Sequence, residues 1–215
     1  MHSGAPEYVY TLSDLLYKTH PSLIDQPLSM SVTDCRQLCL DIASGLQHLQ
    51  SKELLRYTNG ILMPEDVFVF RQNGALRARV SKKLNKNGAA SSRFQSVLLV
   101  DTCVKYRAPE YIVRKVQHHQ ETSNSKPMAI LYSLSILIFE IFTRASPYDT
   151  MKHTSDVASV ILQDIAMKGR RPWTDRAWPQ DVSKKLKLMV ESCGHGDPTK
   201  RPSIQQLMTA LEKVV

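Results

Sequence analysis

The chain lacks the features that mark zinc sites, secretory signals and membrane spans. Its four cysteines, Cys35, Cys39, Cys103 and Cys193, form no C-x-x-C pair and have no companion set of histidines. We therefore expect buried, reduced thiols rather than a zinc site. The N-terminal residues contain no basic segment followed by an apolar core, so we expect no secretory signal. These absences predict a protein of the cytoplasm or nucleus.

Acidic residues are absent from one long stretch of the sequence, since no Asp or Glu occurs from Val67 to Val100. The whole chain has 215 residues and a formal net charge of +8, which favours acidic partners. No aromatic residues are interleaved with the charge in the pattern of a nucleic-acid site, so we expect no nucleic acid. The acid-free stretch carries only basic charges: Arg71, Arg77, Arg79, Lys82, Lys83, Lys86 and Arg93.

One segment is apolar on every side. Residues Ala129 to Thr143, AILYSLSILIFEIFT, would form about four helical turns with few polar side chains. A helix without a polar face has to be buried, so we expect the central helix of a globular domain. We expect the segment to be too short to span a bilayer, because Glu140 interrupts the apolar run.

Apolar spacing and turn residues predict further elements. An amphipathic helix follows Ser31, which forms a capping box with Asp34, and the last helix opens in the same way at Ser203 and Gln206. The remaining predictions are a strand-like run from Glu7 that enters a helix capped by Ser13, a β-hairpin at 67–80 across Asn73-Gly74, a mobile loop at 81–96, a strand at 97–104, an exposed connector at 117–127, a turn at 146–148, a helix at 157–167, an irregular segment at 172–179 and a helix at 183–192.

Several motifs together resemble the C-terminal lobe of eukaryotic protein kinases. YRAPEYI (106–112), SLSILIFE (133–140) and DPTKRPSIQQL (197–207) occur in the order and relative spacing of that lobe. LCLDIASGLQHLQS (38–51) resembles the helix before the kinase catalytic loop, and PEDVFVF (64–70) resembles the end of that loop. The likeness is greatest to the tyrosine kinase and tyrosine-kinase-like groups, and it covers nearly the whole chain.

The resemblance implies a fold and a domain organisation. The expected fold is mainly α, a kinase-like C-lobe in which a helical bundle surrounds a central buried helix beside a small β-hairpin, with the N-lobe absent. Residues 1–17 resemble the inter-lobe hinge and the start of the first helix, and residues 18–215 resemble the C-lobe. The Gly-rich loop and the strand lysine that hold ATP phosphates in kinases belong to the N-lobe, so we expect neither here.

The resemblance also assigns family site positions, and these carry unexpected residues. Asp66 stands at the metal-binding Asn, which places Ile61 at the catalytic Asp and Val80 at the D-F-G Asp. Isoleucine cannot accept a proton and valine cannot bind magnesium. Ile130 stands where the central helix of active kinases carries an Asp. We therefore expect a degenerate, pseudokinase-like chain that is no enzyme and holds no metal or cofactor.

One predicted feature is architectural. Glu110 of the A-P-E motif and Arg201 of the K-R-P-S motif match the two partners of the buried ion pair of the kinase family. An arginine and a carboxylate form a forked, charge-assisted pair, so we expect Glu110 to bind Arg201.

Three hypotheses for function remain open. The chain is a pseudokinase-like scaffold in signalling, a truncated form or fragment of a Ser/Thr or Tyr protein kinase that lacks its N-lobe, or a fragment that folds only with a partner. The expected partners are proteins, whether acidic, phosphorylated or another kinase, with no membrane span. A candidate site for an acidic partner is the basic patch on the side where a kinase holds nucleotide: Arg77, Arg79, Lys82, Lys83 and Lys86.

Overall fold

The fold was analysed in a computed structural model, which describes residues 9–19, 30–57, 60–81, 104–112, 125–149 and 163–213. Its elements are β1 (Val9–Thr11), α1 (Leu12–Tyr17), α2 (Val32–Ser51), β2 (Val67–Gln72), β3 (Ala75–Val80), α3 (Ser125–Thr143), α4 (Pro172–Asp175), α5 (Lys184–Cys193) and α6 (Ile204–Glu212). Short 3-10 helices occupy Leu54–Tyr57, Pro64–Asp66 and Pro198–Lys200.

The predicted central helix is confirmed as α3, which lies at the centre of the hydrophobic core. It begins at Ser125, four residues before the predicted start, so the predicted connector at 117–127 ends too late. Its two buried serines bond to nearby carbonyls, Ser133 Oγ to Tyr106 O at 2.7 Å and Ser135 Oγ to Tyr132 O at 2.7 Å. Both serines are therefore hydrogen-bonded inside the core.

The length of α3 corrects one expectation. The 18-residue segment Lys126–Thr143 is long and apolar enough to cross a membrane by length and composition alone. The segment was predicted to be too short because it was taken to begin at Ala129 and because Glu140 interrupts the apolar run. In the fold, 78% of this segment is buried by the rest of the chain, as in the core helix of a globular domain.

Helix α2 confirms the predicted capping box. Ser31 Oγ accepts a hydrogen bond from Asp34 N at 3.1 Å, and Asp34 Oδ2 accepts one from Ser31 N at 2.9 Å. The apolar stripe of this helix packs into the core, and it includes Cys35 and Cys39 as buried free thiols. Burial raises the pKa of both thiols, because a thiolate would have to form away from water.

The predicted hairpin is confirmed, and a third strand joins it. Strands β1, β2 and β3 form an antiparallel sheet in that order, so β1 pairs with β2 although the sequence suggested only the hairpin. The turn between β2 and β3 places Asn73 at φ 52° and Gly74 at φ 79°, as a two-residue hairpin turn requires. The N-cap of α1 is Thr11 and not the predicted Ser13, because Thr11 Oγ1 accepts from Asp14 N at 3.1 Å.

The C-terminal third packs against the far side of α3. Helix α5 lies where a helix was predicted and is capped by Ser183, and the predicted cap of α6 by Ser203 with Gln206 is confirmed. The segment predicted to be irregular contains α4, and its two tryptophans meet Phe139 of α3 edge-on at centroid distances of 5.9 Å for Trp173 and 4.8 Å for Trp178. These contacts anchor the segment on the core.

The remaining predictions are only partly covered by the described residues. The turn at 146–148 is confirmed, and residues 163–166 of the predicted helix at 157–167 are helical. The predicted loop beyond Ser81 and the predicted strand at 97–104, apart from Val104, lie outside the described residues, as does residue range 117–124 of the connector.

Gly194 leaves the space in which Trp173 lies. A Cβ atom on this residue would stand 2.4 Å from Trp173 Cη2 and 2.9 Å from Ser135 Oγ. The φ angle of Gly194 is −85°, so its backbone conformation is open to any residue. The requirement for glycine is therefore one of packing between the end of α5 and α3.

We expect Gly194→Ala to lower the free energy of unfolding by about 1–3 kcal/mol, because the added methyl group overpacks the site. Chemical denaturation measures this change. The control is Gly196→Ala, whose Cβ would meet only Arg171 Nη2, at 3.4 Å. Equal midpoints for Gly194→Ala and the wild type would contradict the proposed close approach of Trp173.

Candidate functional site

The loop before β2 is closed by its own acidic residue. Asp66 is 8% exposed, and its Oδ2 accepts a hydrogen bond from Met63 N at 3.0 Å. The carbonyl oxygen of Asp66 accepts one from Ser81 N at 2.8 Å, which ties the loop to the residue after β3. Asp66 therefore fixes the position at which the loop enters the sheet.

The other three positions singled out in the sequence, Ile61, Ile130 and Val80, are apolar and packed. Ile61 is 2% exposed and belongs to the hydrophobic core, and Ile130 of α3 is 1% exposed. Val80 pairs with Val67 at the end of the hairpin, and its Cγ2 lies 3.2 Å from the place of a Cβ on Gly45 of α2. These side chains hold α2, the loop and the sheet together, and they offer no ligand atoms.

One face of the small sheet is open. Residues that pair directly across strands share a face, which groups Val9, Phe68, Phe70 and Arg79. Val9 is 58% exposed and Phe68 is 40% exposed. The Arg79 guanidinium lies 5.2 Å above the centroid of the Phe70 ring. Phe70 is only 8% exposed, so the exposed side chains of this face are those of Val9, Phe68 and Arg79. We call this apolar and cationic face, made of the four residues, the open sheet face.

Arg77 of the predicted basic patch has an acidic partner in space. Its Nε and Nη2 donate to the Asp41 carboxylate at 2.7 Å and 2.8 Å, although no acid is near it in sequence. Asp41 also accepts from Ala78 N at 3.0 Å and from Gln37 Nε2 at 2.9 Å. Asp41 thus covers the exposed edge of β3 and compensates the charge of Arg77.

The pair with Asp41 raises the pKa of Arg77. Arg79 lies on the open sheet face. The three lysines of the predicted patch, Lys82, Lys83 and Lys86, lie outside the described residues.

A buried carboxylate lies on α3, and sequence reasoning did not assign it to any site. Glu140 of α3 is 0% exposed and accepts hydrogen bonds from the hydroxyl groups of Tyr17 in α1 and Tyr106, the latter at 2.7 Å. Burial raises the pKa of Glu140 to about 7, and the two hydroxyl groups oppose that rise only in part. Its one signal in the sequence was a lone carboxylate inside an apolar helix.

Glu140 should make stability fall as the pH rises. The folded pKa of about 7 exceeds the ordinary value of 4.5, so the folded state holds the proton more tightly than the unfolded state. This contribution is complete below pH 4.5 and is lost as the pH rises through about 7, a difference on the order of 3 kcal/mol. We expect Glu140→Gln to remove this dependence.

Thermal unfolding from about pH 4.5 to pH 8 measures this effect. The variant should gain stability relative to the wild type as the pH rises. Glu212→Gln is the control, because Glu212 is an exposed glutamate at the end of α6. Parallel pH profiles for the wild type and Glu140→Gln would contradict the assignment.

The predicted contact between Glu110 and Arg201 is present. Arg201 Nη1 lies 2.7 Å from Glu110 Oε1, and Nη2 lies 2.6 Å from Oε2. The Arg201 side chain is 0% exposed and that of Glu110 is 10% exposed. The guanidinium also donates to three carbonyl oxygens, those of His195, Met128 and Gly196. This pair joins the segment at 108–112 to α3 and to the turn before α6.

We expect Glu110→Gln to cost about 3–5 kcal/mol of unfolding free energy, because it leaves the buried Arg201 charge without a counter-charge. Denaturant unfolding measures the loss. The control is Lys168→Gln, which breaks a pair with Asp164 in which the lysine side chain is 67% exposed, at a cost of about 0–1 kcal/mol. Similar losses in the two variants would show that the Glu110 pair is not special.

Carboxylates and thiols in the described part of the chain do not gather into a metal site. Among those residues, no group of three or more His, Cys, Asp or Glu side chains could hold a metal ion. Asp66, Asp41 and Glu140 are each engaged with separate protein groups. The sequence brought Glu110 and Arg201 together correctly, but it missed Asp41 and Glu140.

Comparisons with known proteins place this architecture in a family. A family model described as the protein kinase domain matches residues 5–211. A probable serine/threonine-protein kinase of Dictyostelium discoideum is 25% identical over 92% of the chain, and a dual specificity protein kinase of the same organism is 23% identical over 80%. A protein kinase and PP2C-like domain-containing protein of Arabidopsis thaliana is 24% identical over 99% of the chain.

The chain spans 13%, 11% and 34% of the lengths of these three relatives. The similarity therefore covers only a part of each relative. Two of them are named as serine/threonine or dual specificity kinases, so the predicted likeness to tyrosine kinases stays a prediction.

These matches contradict the expectation that the chain is no enzyme. That expectation rested on single side chains at a few motif positions, Ile61 and Val80 above all, whereas the family match extends over almost every element of the fold. The prediction of a non-enzyme was therefore wrong. With the family model matching 5–211 and the buried pair in place, the chain belongs to the protein kinase domain family.

Proposed function

We propose that this chain is part of an ATP-dependent protein kinase and forms the lobe that holds the protein substrate. The observation that carries the proposal is the match of the protein kinase domain over residues 5–211. The relatives named as kinases support it, since they align with 80% to 99% of the chain. Because the chain spans only a small part of those relatives, the active protein is expected to be longer.

The open sheet face supports a role in nucleotide binding. Phe68 presents an aromatic ring that is 40% exposed, and an aromatic face can stack on a planar base. Arg79, which pairs with Phe68 across the strands, adds a cation, and a guanidinium pairs well with phosphate oxygens. The surface thus combines the apolar and cationic contacts that ATP requires.

Phosphoryl transfer depends mainly on positioning and on stabilisation of charge. Ile61 cannot accept the proton of a substrate hydroxyl, because its side chain is aliphatic and 2% exposed. In this proposal the proton of the substrate hydroxyl passes to water. The Glu110 pair and α3 supply the rigid support for the substrate side.

The full-length protein should transfer the labelled γ-phosphate of ATP to a mixture of Ser, Thr and Tyr peptides when magnesium is present. Saturating ATP at 100 times its dissociation constant should also add about 2.7 kcal/mol of stability, which raises the melting temperature by several degrees. Phe68→Asp should weaken both effects, because it removes the ring proposed to stack on the base and puts a carboxylate opposite Arg79. Met167→Asp is the matched control, since Met167 is an apolar residue that is 78% exposed elsewhere on the chain.

A folded protein that transfers no phosphate and whose melting temperature ATP leaves unchanged would contradict this proposal. Equal loss in Phe68→Asp and Met167→Asp would contradict only the assignment of the open sheet face.

A second candidate function is a protein-binding scaffold or regulatory role in signalling. The observation that favours it is the buried, aliphatic Ile61 at the position that the resemblance assigns to the catalytic Asp. Its partner would be a protein, whether acidic, phosphorylated or another kinase. Binding of such a partner with no phosphate transfer would support this role over the first.

A further inference from the structure

The first two turns of α5 carry three lysines without acidic partners. Lys184 and Lys185 are exposed and Lys187 is half-buried, and the first turn of the helix has no acidic residue. Within the described residues, none of the three makes a salt bridge. The cluster therefore presents uncompensated positive charge to solvent.

These lysines stand at the wrong end of a helix for stability. The N-terminal end of a helix carries a partial positive charge, which favours acidic side chains and disfavours cations. Ser183 Oγ accepts from Leu186 N at 3.3 Å and caps the helix with a neutral side chain. Local electrostatics thus do not account for the placement of three lysines here, whereas an anionic ligand would.

An exposed apolar residue lies among the lysines. Leu188 is 54% exposed, although Leu186 and Val190 of the same helix are buried. Residues three and four apart are neighbours on a helix, so Leu188 adjoins Lys184 and Lys185. We call the surface formed by Lys184, Lys185, Lys187 and Leu188 the α5 surface.

The neighbouring acids do not neutralise the α5 surface. Asp181 is exposed and precedes the helix, where it sets one carboxylate against three lysines. Glu191 accepts a hydrogen bond from Trp178 Nε1 at 2.9 Å, which directs its carboxylate to the tryptophan. The α5 surface therefore keeps a net positive charge around one exposed leucine.

We propose that the α5 surface binds an acidic segment of a protein partner, with carboxylates on the lysines and one apolar side chain on Leu188. Charge complementarity selects the class of partner, and the single leucine sets a short apolar contact within it. An anionic membrane fits less well, since membrane-binding clusters carry about 4–8 basic residues and an extended apolar face. Nucleotide has no part in this contact, so its test is independent of the phosphotransferase proposal.

The test measures binding of a short fluorescein-labelled peptide, made of glutamates with one central leucine, to the full chain by fluorescence anisotropy. The wild type should bind the peptide at low salt and lose affinity at high salt, because the contact is ionic. The double variant Lys184→Glu/Lys185→Glu should bind about tenfold or more weakly. Leu188→Ser should weaken binding at both salt concentrations, since its contribution is apolar.

The double variant separates binding from folding. Glutamates in the first turn suit the helix dipole, so its melting temperature should equal or exceed that of the wild type. The control is Lys52→Glu/Lys200→Glu, which changes the net charge equally. Lys52 is the residue after α2, and the other end of that helix, about 30 Å away, lies beside Ser183. Lys200 lies beyond the far end of α5.

Three outcomes would overturn the proposal. The first is a wild type that does not bind the peptide at low salt. The second is equal loss of affinity in the double variant and in its charge-matched control. The third is a wild type that does not bind the peptide but binds phosphatidylserine vesicles through Lys184 and Lys185.

Discussion

The rest of the structure depends on the need to cover α3 on all sides. A helix of this hydropathy gains stability only when its whole circumference is removed from water, and α2, the tryptophans of the C-terminal third and the segment at 104–112 do this together. This packing fixes the distance between α3 and each of these neighbouring elements. Glycine at position 194 reflects the same constraint, because the end of α5 approaches α3 and Trp173 too closely for a side chain.

Three carboxylates in or beside this core are accommodated in three different ways. Glu110 binds a buried arginine in a forked pair, and Asp41 binds a half-exposed arginine together with a strand edge. Among the described residues the hydrogen-bond partners of Glu140 are two tyrosine hydroxyl groups, and burial raises its pKa to about 7. Glu110 and Asp41 each bind an arginine and thereby link separate elements of the fold, whereas Glu140 binds no arginine among the described residues.

The family assignment rests on the whole chain, whereas the expectations about catalysis rested on single positions. Packing around α3 and the Glu110 pair involve elements along the whole chain, and the match over residues 5–211 places the chain among protein kinase domains. Ile61 and Val80 are properties of single positions, and both are used in packing here. A fold can keep its architecture while individual positions change, which is why the prediction of a non-enzyme from a few side chains was unsafe.

The sequence by itself determined the elements whose signals are local. The apolar run of α3, the capping boxes at Ser31 and Ser203 and the Asn73-Gly74 turn each depend on neighbouring residues, so pattern alone located them. Glu110 and Arg201 were paired only because their motifs resembled a known lobe. Tertiary structure alone decided the pairing of β1 with β2, the Asp41–Arg77 contact and the environment of Glu140. Those contacts join residues far apart in sequence, and their partners are fixed only once the core has been packed.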